Sequence, residues 1–303
     1  MTGSKAWIVL LLLLRCSVRL QGQDIDPRQY ANAPIGMNFL IAGPVVTNLG
    51  LPQDPAIPLT DAELHTYGGV LGYARVLRVG GQSAKLSMAV PYMWLEGSAL
   101  FNGEPVSRSV NGLTDAKLRF SVNLLGAPAM DLKEFMAYKQ DLVVGASLTV
   151  TAPTGQFDPE RLVNIGANRW ATKGEVGLSK AVGKWILEVM TTAEIFTDNT
   201  EFFGGKVREQ EPVFAGKGHV IRNFKPGSWA SVDATYYTGG ATTINGIFRN
   251  DLQQNWRLGA TLVAPVNVKH ALKINVSSGV YARTGNNFDL LALTWQYRWG
   301  AGL

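Results

Sequence analysis

The sequence has little charge, one cysteine and no long apolar run beyond its first residues. Charged residues make up 17% of the 303 residues, below the roughly 25% that is usual for soluble proteins. The lone Cys16 excludes a disulfide framework and a thiol metal site. No segment after residue 22 approaches the ~18 consecutive apolar residues of a transmembrane helix. The chain is therefore either soluble after export or crosses a membrane as strands.

Residues 1–22 have the features of a secretory signal peptide. Lys5 supplies a basic start, and residues 6–14 form an apolar core that is too short to span a bilayer. Cleavage after Gly22 would remove three basic residues and no acidic ones, so 28 bases against 23 acids would become 25 against 23. The excess of basic over acidic residues is therefore partly a property of the signal peptide, and it gives no reason to expect a nucleic-acid partner.

Apolar and polar side chains alternate along the rest of the chain. In 289–299, Leu291, Leu293 and Trp295 share one face, while Thr294 and Arg298 lie on the other. A period of two places such sets on opposite faces of a strand. The same alternation recurs at 82–95, 116–125, 142–151, 184–196, 229–238, 255–264 and 271–280. It is weaker at 36–43, 64–79, 170–182 and 213–224.

The connections between these twelve segments alternate in length. Short connections include Gly80–Gly81, Gly183 and Pro226–Gly227, and the long ones are 44–63, 97–113, 152–169, 197–212 and 239–254. Bacterial barrels have an even number of strands, short periplasmic turns and longer outer loops. We therefore predict an all-β fold, a transmembrane antiparallel up-and-down β-barrel of about 12 strands. The barrel would span residues 36–299, after an N-terminal segment at 23–35 and before a tail at 300–303.

One connection at the predicted periplasmic end, residues 126–141, is longer than the other turns at that end. Asp131 and Glu134 resemble a capping box, which predicts a short helix near 131–138. Leu132, Phe135 and Met136 would share one face of this helix. We interpret it as a plug under the turn, with a docking site for a periplasmic partner as the alternative.

The polar faces of the predicted strands would line the lumen with charges of both signs. In 64–79 both faces are apolar, and Arg75 alone indicates that its face, with Tyr67 and Tyr73, points inward. A mixed lumen suits either an internal salt-bridge network or a pore that selects weakly for anionic or polar aromatic solutes. The predicted pore-lining charges are Arg75, Lys85, Lys117, Arg119, Glu188, Glu194, Asp233, Arg257, Lys273 and Arg298.

The connection at 152–169 follows a strong strand and contains prolines, which favour a fixed path. Its apolar residues Leu162, Val163 and Ile165 could pack against the inner wall. We predict that it folds inward and constricts the pore, with an ordered loop that caps the rim as the alternative. The polar groups predicted to line this constriction are Asp158, Arg161, Asn164, Asn168 and Arg169.

No motif in the sequence predicts catalysis or a cofactor. Gly-x-Ser-x-Gly does not occur, and the acidic stretch 198–201 lacks the spacing and glycine of an EF-hand. His219 with Thr192 or Ser231 is the one hydrolase-like set that neighbouring segments could assemble. We therefore expect no catalytic residues, no metal site and no cofactor, and we do not expect an enzyme.

Several stretches of the chain resemble the meta-pathway phenol-degradation family of outer-membrane proteins. They are 33–39, 123–129, 153–158, 164–170, 236–240, 255–259, 283–288 and 295–299. The resemblance runs in order from about residue 30 to 300. It implies an outer-membrane barrel in a family often linked to the catabolism of aromatic compounds, and it brings no catalytic residues to carry over.

From these patterns we expect a passive channel for small, aromatic or organic-acid solutes in the outer membrane of a Gram-negative bacterium. Its partners would be outer-membrane lipid, the solute and the barrel-assembly machinery. One alternative is a non-conducting structural or binding barrel. The other is a barrel enzyme that acts on lipid, which would need a reactive Ser or Thr beside His219.

Overall fold

The structure is a computed structural model that describes residues 26–50, 59–283 and 287–303. The predicted signal peptide lies outside the described residues. The described residues form one short helix, α1 (Leu132–Ala137), and a series of strands. The strands are β1 (Asn38–Gly50), β2 (Leu59–Val79), β3 (Gln82–Phe101), β4 (Glu104–Leu113), β5 (Ala116–Leu125), β6 (Leu142–Ala152), β7 (Ala171–Val182), β8 (Trp185–Phe196), β9 (Asn199–Phe202), β10 (Lys206–Gln210), β11 (Val213–Asn223), β12 (Trp229–Gly239), β13 (Thr242–Ile244), β14 (Ile247–Phe248), β15 (Gln253–Pro265), β16 (His270–Ala282) and β17 (Asn287–Trp299).

Twelve antiparallel strands close into a barrel, as predicted. Around the wall they run β1, β2, β3, β5, β6, β7, β8, β11, β12, β15, β16 and β17. The ladder between β1 and β17 closes the ring, from Asn38 opposite Trp299 to Gly50 opposite Asn287. No helix among the described residues is long and apolar enough to cross a bilayer. The short turns mark the periplasmic end and the long connections mark the extracellular end.

Burial alternates along the wall strands with the predicted period of two. On β16, Leu272, Ile274 and Val276 are 43%, 41% and 41% exposed, whereas Ser277 is 8% exposed. The apolar set points outward, where a bilayer covers it, and the polar set points into the lumen. Lipid therefore takes the place of a hydrophobic core on the outer face of this barrel.

The orientation predicted for β2 was wrong. Tyr67 and Tyr73 are 47% and 36% exposed and face outward with Arg75, whereas Val76 is buried and faces the lumen. Arg75 is therefore on the outer surface near the periplasmic end and does not line a pore. Aromatic side chains such as Tyr73 suit the membrane interface, and a long side chain such as Arg75 can extend its charge into the headgroups from there.

Three of the predicted long connections contain further strands. In 97–113, β4 pairs with β3 across a turn at Asn102–Gly103. Within 197–212 and 239–254, β9, β10, β13 and β14 form a separate four-stranded sheet. Both residues of the Asn102–Gly103 and Asn245–Gly246 turns have positive φ, as tight hairpin turns require. The two Asn-Gly pairs were the sequence signal for these hairpins.

Helix α1 begins with the predicted capping box. Asp131 accepts a hydrogen bond from the backbone of Glu134, whose side chain accepts one from the backbone of Asp131. None of its residues is buried, and Met136 is 74% exposed. The interpretation of this helix as a plug was therefore wrong, because its apolar face packs too loosely against the barrel to close it. The alternative, a docking site, stays a prediction.

Candidate functional site

A different segment occupies the periplasmic half of the lumen. Residues 26–37, which we call the plug, precede β1 and contact inward-facing side chains from strands on all sides of the barrel. Asp26 approaches Arg119 of β5 at 3.3 Å and Lys273 of β16 at 3.4 Å. Arg28 donates to Asn223 of β11 and, through its backbone, to Glu188 of β8. A segment with partners on opposite walls must lie inside the barrel.

The plug is a short turn followed by a strap that leads into β1. Ala31 donates to the carbonyl of Arg28, which has a positive φ of 66°. The strap is fixed at the rim, because Ile35 donates to the Met130 carbonyl at 2.9 Å and Gly36 donates to that of Val76 at 3.0 Å. Proline and glycine in this stretch prevent β1 from extending toward the N-terminus. The chain therefore turns into the lumen.

Tyr30 is the main apolar anchor of the plug. Its ring is 1% exposed and packs with Val143 and Met190 of the wall. A Cβ atom built on Gly145 would lie 2.1 Å from the ring, and one on Gly177 would lie 2.5 Å from it. Only glycine at these two positions leaves room for the ring. Two neighbouring wall strands therefore form a slot that fits the tyrosine.

The hydroxyl of Tyr30 forms a hydrogen bond with a buried ion pair. It donates to Glu175 Oε1 at 3.1 Å, and Glu175 Oε2 lies 2.7 Å from Lys217 Nζ. The side chains of Glu175 and Lys217 are 2% and 4% exposed. Neither charge is in contact with bulk solvent, so each depends on the other for compensation.

Replacing Glu175 with leucine is therefore expected to destabilise the barrel. Lys217 would keep a buried charge without its partner, at a cost of about 3–5 kcal/mol. The midpoint of urea unfolding in detergent should fall accordingly. The double variant Glu175→Leu with Lys217→Met leaves no charge uncompensated and should recover most of the loss. Equal midpoints for the single and double variants would contradict the assignment.

Four of the predicted pore-lining residues bind the plug. Lys85 donates to the Gln29 carbonyl at 2.8 Å, and Arg119 donates to the Gln29 side chain at 3.1 Å. Glu188 and Lys273 make the contacts with Arg28 and Asp26 given above. Sequence reasoning found these wall residues but missed their partner. The available signal was the polar, non-periodic segment Asp26–Asn32, which carries charges of both signs.

The other predicted pore-lining residues lie elsewhere. Lys117 and Glu194 belong to the inner wall, and Arg298 lies at the periplasmic rim, where it donates to the Val268 carbonyl. Asp233 accepts from His219 Nδ1 at 2.7 Å, and both side chains are fully buried. Arg257 is 1% exposed on the inner wall of the extracellular half.

The hydrolase-like set around His219 does not assemble as a nucleophile with its base. Ser231 directs its hydroxyl at Asp233, at 3.1 Å, rather than at the histidine. Within the described residues, no hydroxyl group hydrogen-bonds to the ring of His219. Activation of a serine or threonine requires such a bond between nucleophile and base. This arrangement therefore resembles a hydrogen-bond network of the inner wall more than a catalytic site.

The loop at 152–169 packs over the extracellular mouth. Val163 and Ile165 lie against a cluster formed by Leu64, Leu95, Val110 and Phe288 on the inner wall. The loop is ordered by its own hydrogen bonds, because Asn164 accepts from the backbone of Asp158 and donates to the carbonyls of Asp158 and Arg161. The side chain of Arg161 is 61% exposed. The apolar side chains of this loop thus pack against the inner wall at the mouth.

Two of the predicted mouth residues tie the loop to its neighbours instead of facing open solvent. Arg169 donates to Gln210 and lies over the ring of Phe196, 4.4 Å from its centroid. Burial lowers the pKa of the Arg169 guanidinium to about 10. Asn168 donates to Asn199 and Glu201 at 3.3 Å. Among the described residues, no three His, Cys, Asp or Glu side chains are placed to hold a metal ion.

Solved structures with the same architecture are outer-membrane proteins. The COG4313 outer membrane channel from Pseudomonas putida F1 has a TM-score of 0.76 and 18% identity, over 91% of this chain and 100% of that chain. The beta domain of the Bordetella autotransporter BrkA has a TM-score of 0.50 and 9% identity, over 88% and 100%. The transport unit of AIDA-I from Escherichia coli also has a TM-score of 0.50, with 10% identity, over 96% and 97%.

At these identities the likeness establishes the fold. The fold is a barrel of the outer membrane of Gram-negative bacteria. No curated protein sequence matches the chain significantly. The model of the protein family described as "Putative MetA-pathway of phenol degradation" matches residues 48–297, which is most of the chain. The protein is therefore an outer-membrane β-barrel that belongs to this family.

Proposed function

We propose that this protein is an outer-membrane channel for the passive uptake of small, aromatic or organic-acid solutes, and that the plug is its periplasmic barrier. The observation that carries the proposal is the way in which the lumen is filled. The periplasmic half is filled by a segment from before the first strand, not by side chains of the wall alone. A barrier of this kind can move while every wall ladder stays intact.

The contacts at the start of the plug favour such movement. The Asp26 side chain is 42% exposed, and its ion pairs with Arg119 and Lys273 are 3.3 and 3.4 Å long. Partly exposed ion pairs contribute only about 0–1 kcal/mol each. Tyr30 and the Glu175–Lys217 pair hold the middle of the plug more firmly. We expect the end near Asp26 to open first.

The lumen and the family both support the proposed solute class. The inner wall combines charges of both signs, hydroxyls and amides with aromatic side chains, which suits small solutes that have an apolar ring and a polar group. The family description refers to phenol degradation. The structural relative from Pseudomonas putida F1 is described as an outer membrane channel. Both support a channel that serves the catabolism of aromatic compounds.

Flux into proteoliposomes tests the proposal. Vesicles that contain the purified barrel should take up benzoate and catechol faster than protein-free vesicles, and faster than they take up a disaccharide. Vesicles that contain an assembled barrel whose plug is chemically cross-linked to the wall should take up benzoate and catechol no faster than protein-free vesicles. Uptake no faster than in empty vesicles would favour the alternative of a non-conducting structural or binding barrel, with which the closed lumen is also compatible.

The loop at 152–169 is proposed as the extracellular constriction. Deleting residues 156–166 removes the side chains of Val163 and Ile165 from the cluster at the mouth. We expect this deletion to raise the single-channel conductance measured in planar bilayers. A smaller deletion in the β13–β14 turn, which lies in the separate sheet, is the control. Wild-type conductance in a well-assembled 156–166 deletion would instead support a loop that only caps the rim.

A further inference from the structure

Three polar side chains on the inner wall have hydrogen-bonding atoms without a protein partner. Thr235 of β12, Asn255 of β15 and Arg257 of β15 are 0%, 2% and 1% exposed. Thr235 lies directly opposite Arg257 in the ladder, and Asn255 is two residues away on the same face. Within the described structure, Thr235 Oγ1, both side-chain polar atoms of Asn255, and Arg257 Nε remain unsatisfied. We call these three residues the inner-wall patch.

Arg257 is bound only to neutral groups. Its guanidinium donates to the Phe288 carbonyl at 2.6 Å and to the Ser277 hydroxyl at 2.7 Å, and it lies 3.5 Å from the centroid of the Phe288 ring. In the described part of the chain, no carboxylate comes within ion-pair distance of it. Asp289, the residue after Phe288, acts on it only at longer range. A buried guanidinium in this setting has no counter-charge in direct contact with it.

Unsatisfied polar atoms are rare in protein interiors because each one lowers stability. An isolated case has many explanations, but here four such atoms occur on three adjacent side chains. Their chemistry is also coherent. Arg257 and Asn255 offer N–H donors, Thr235 offers a hydroxyl, and Asn255 adds one acceptor. Several donors around one positive charge are the groups that bind a carboxylate.

We propose that the inner-wall patch binds the carboxylate of a small aromatic acid in the extracellular half of the lumen. Arg257 Nε and Asn255 Nδ2 donate to the carboxylate, and the Thr235 hydroxyl completes the set. The ring of the acid lies beside Phe288 and Tyr237, which are both buried next to the patch. The patch lies on the extracellular side of the plug, and because its side chains are 0–2% exposed, the binding of a solute requires neighbouring side chains to move aside. The biological role rests on the proposed channel function, whereas binding itself does not.

Calorimetric titration of the full-length barrel in a non-ionic detergent tests the site. Sodium benzoate and its neutral analogue benzamide are titrated separately. Benzoate is expected to bind about tenfold more tightly or better, because hydrogen bonds to a charged group are the stronger ones. Equal binding of the two compounds, or no binding of benzoate, would overturn the proposal.

Two variants test whether the unsatisfied atoms bind benzoate or are only an unfavourable feature of the wall. Asn255→Leu and Thr235→Val remove only atoms that have no protein partner, so both barrels should assemble normally. Benzoate binding should weaken about tenfold in each. Thr294→Val, the same change on the inner wall of the periplasmic half, should bind benzoate like the wild type. Wild-type affinity in Asn255→Leu and Thr235→Val would show that the patch is not the site.

The result is independent of transport. If benzoate binds at the patch but vesicles show no flux, the site stands and the channel proposal fails. If vesicles show flux but benzoate does not bind, the channel stands and the patch proposal fails.

Discussion

Removing residues 26–33 is expected to convert a nearly closed barrel into one with clear single-channel currents in planar bilayers. The deletion takes away Tyr30, Arg28 and Asp26, and with them the contacts to β5, β7, β8, β11 and β16. Water would then enter the periplasmic half of the lumen and solvate the charges that the plug now covers. The wall should survive, because its ladders do not involve the plug.

A matched control keeps the length of the segment and removes its contacts. Residues 26–33 are replaced by eight glycine and serine residues, which cannot fill the slot at Gly145 and Gly177 or meet the wall charges. This variant should conduct like the deletion. Heat-modifiable migration in detergent gels would confirm that both variants are assembled. If the wild type already conducts as well as both variants, the plug is not the barrier.

Leu118→Arg is expected to impair assembly of the barrel severely. Leu118 is 49% exposed on the outer face of β5. An arginine facing lipid costs about 2–4 kcal/mol at mid-bilayer depth, a large fraction of the stability of a typical protein. The yield of folded, heat-modifiable protein in the outer membrane measures the effect.

Arg119→Leu, at the next residue, is the matched comparison. Arg119 faces the lumen and donates to Asp26, Gln29 and Thr149. The leucine variant should assemble, because it places no charge in lipid. It should also conduct more readily than the wild type, because the plug loses two contacts. Normal assembly of Leu118→Arg together with failure of Arg119→Leu would show that the two faces of β5 are inverted.

The sequence by itself determined the barrel and the orientation of most of its strands. Side chains in a strand alternate between two faces, so the residues of 116–125 or 271–280 reveal the outer and inner faces without any tertiary information. The capping box at Asp131 and Glu134 is equally local, and so it was predicted correctly. β2 was the exception, because both of its faces are apolar and one arginine is not enough to orient a strand that ends at a membrane interface.

Only the tertiary structure decided what fills the lumen. The partners of the plug are distant in sequence: Tyr30 and Glu175 are separated by 145 residues, and Arg28 and Glu188 by 160. No periodicity links such residues, so the wall charges were predicted to line a pore and their partner was missed. Closing the barrel brings distant strands around one segment. The same closure buries Arg257 beside atoms that find no partner in the described chain, and such an environment has no signature in the sequence.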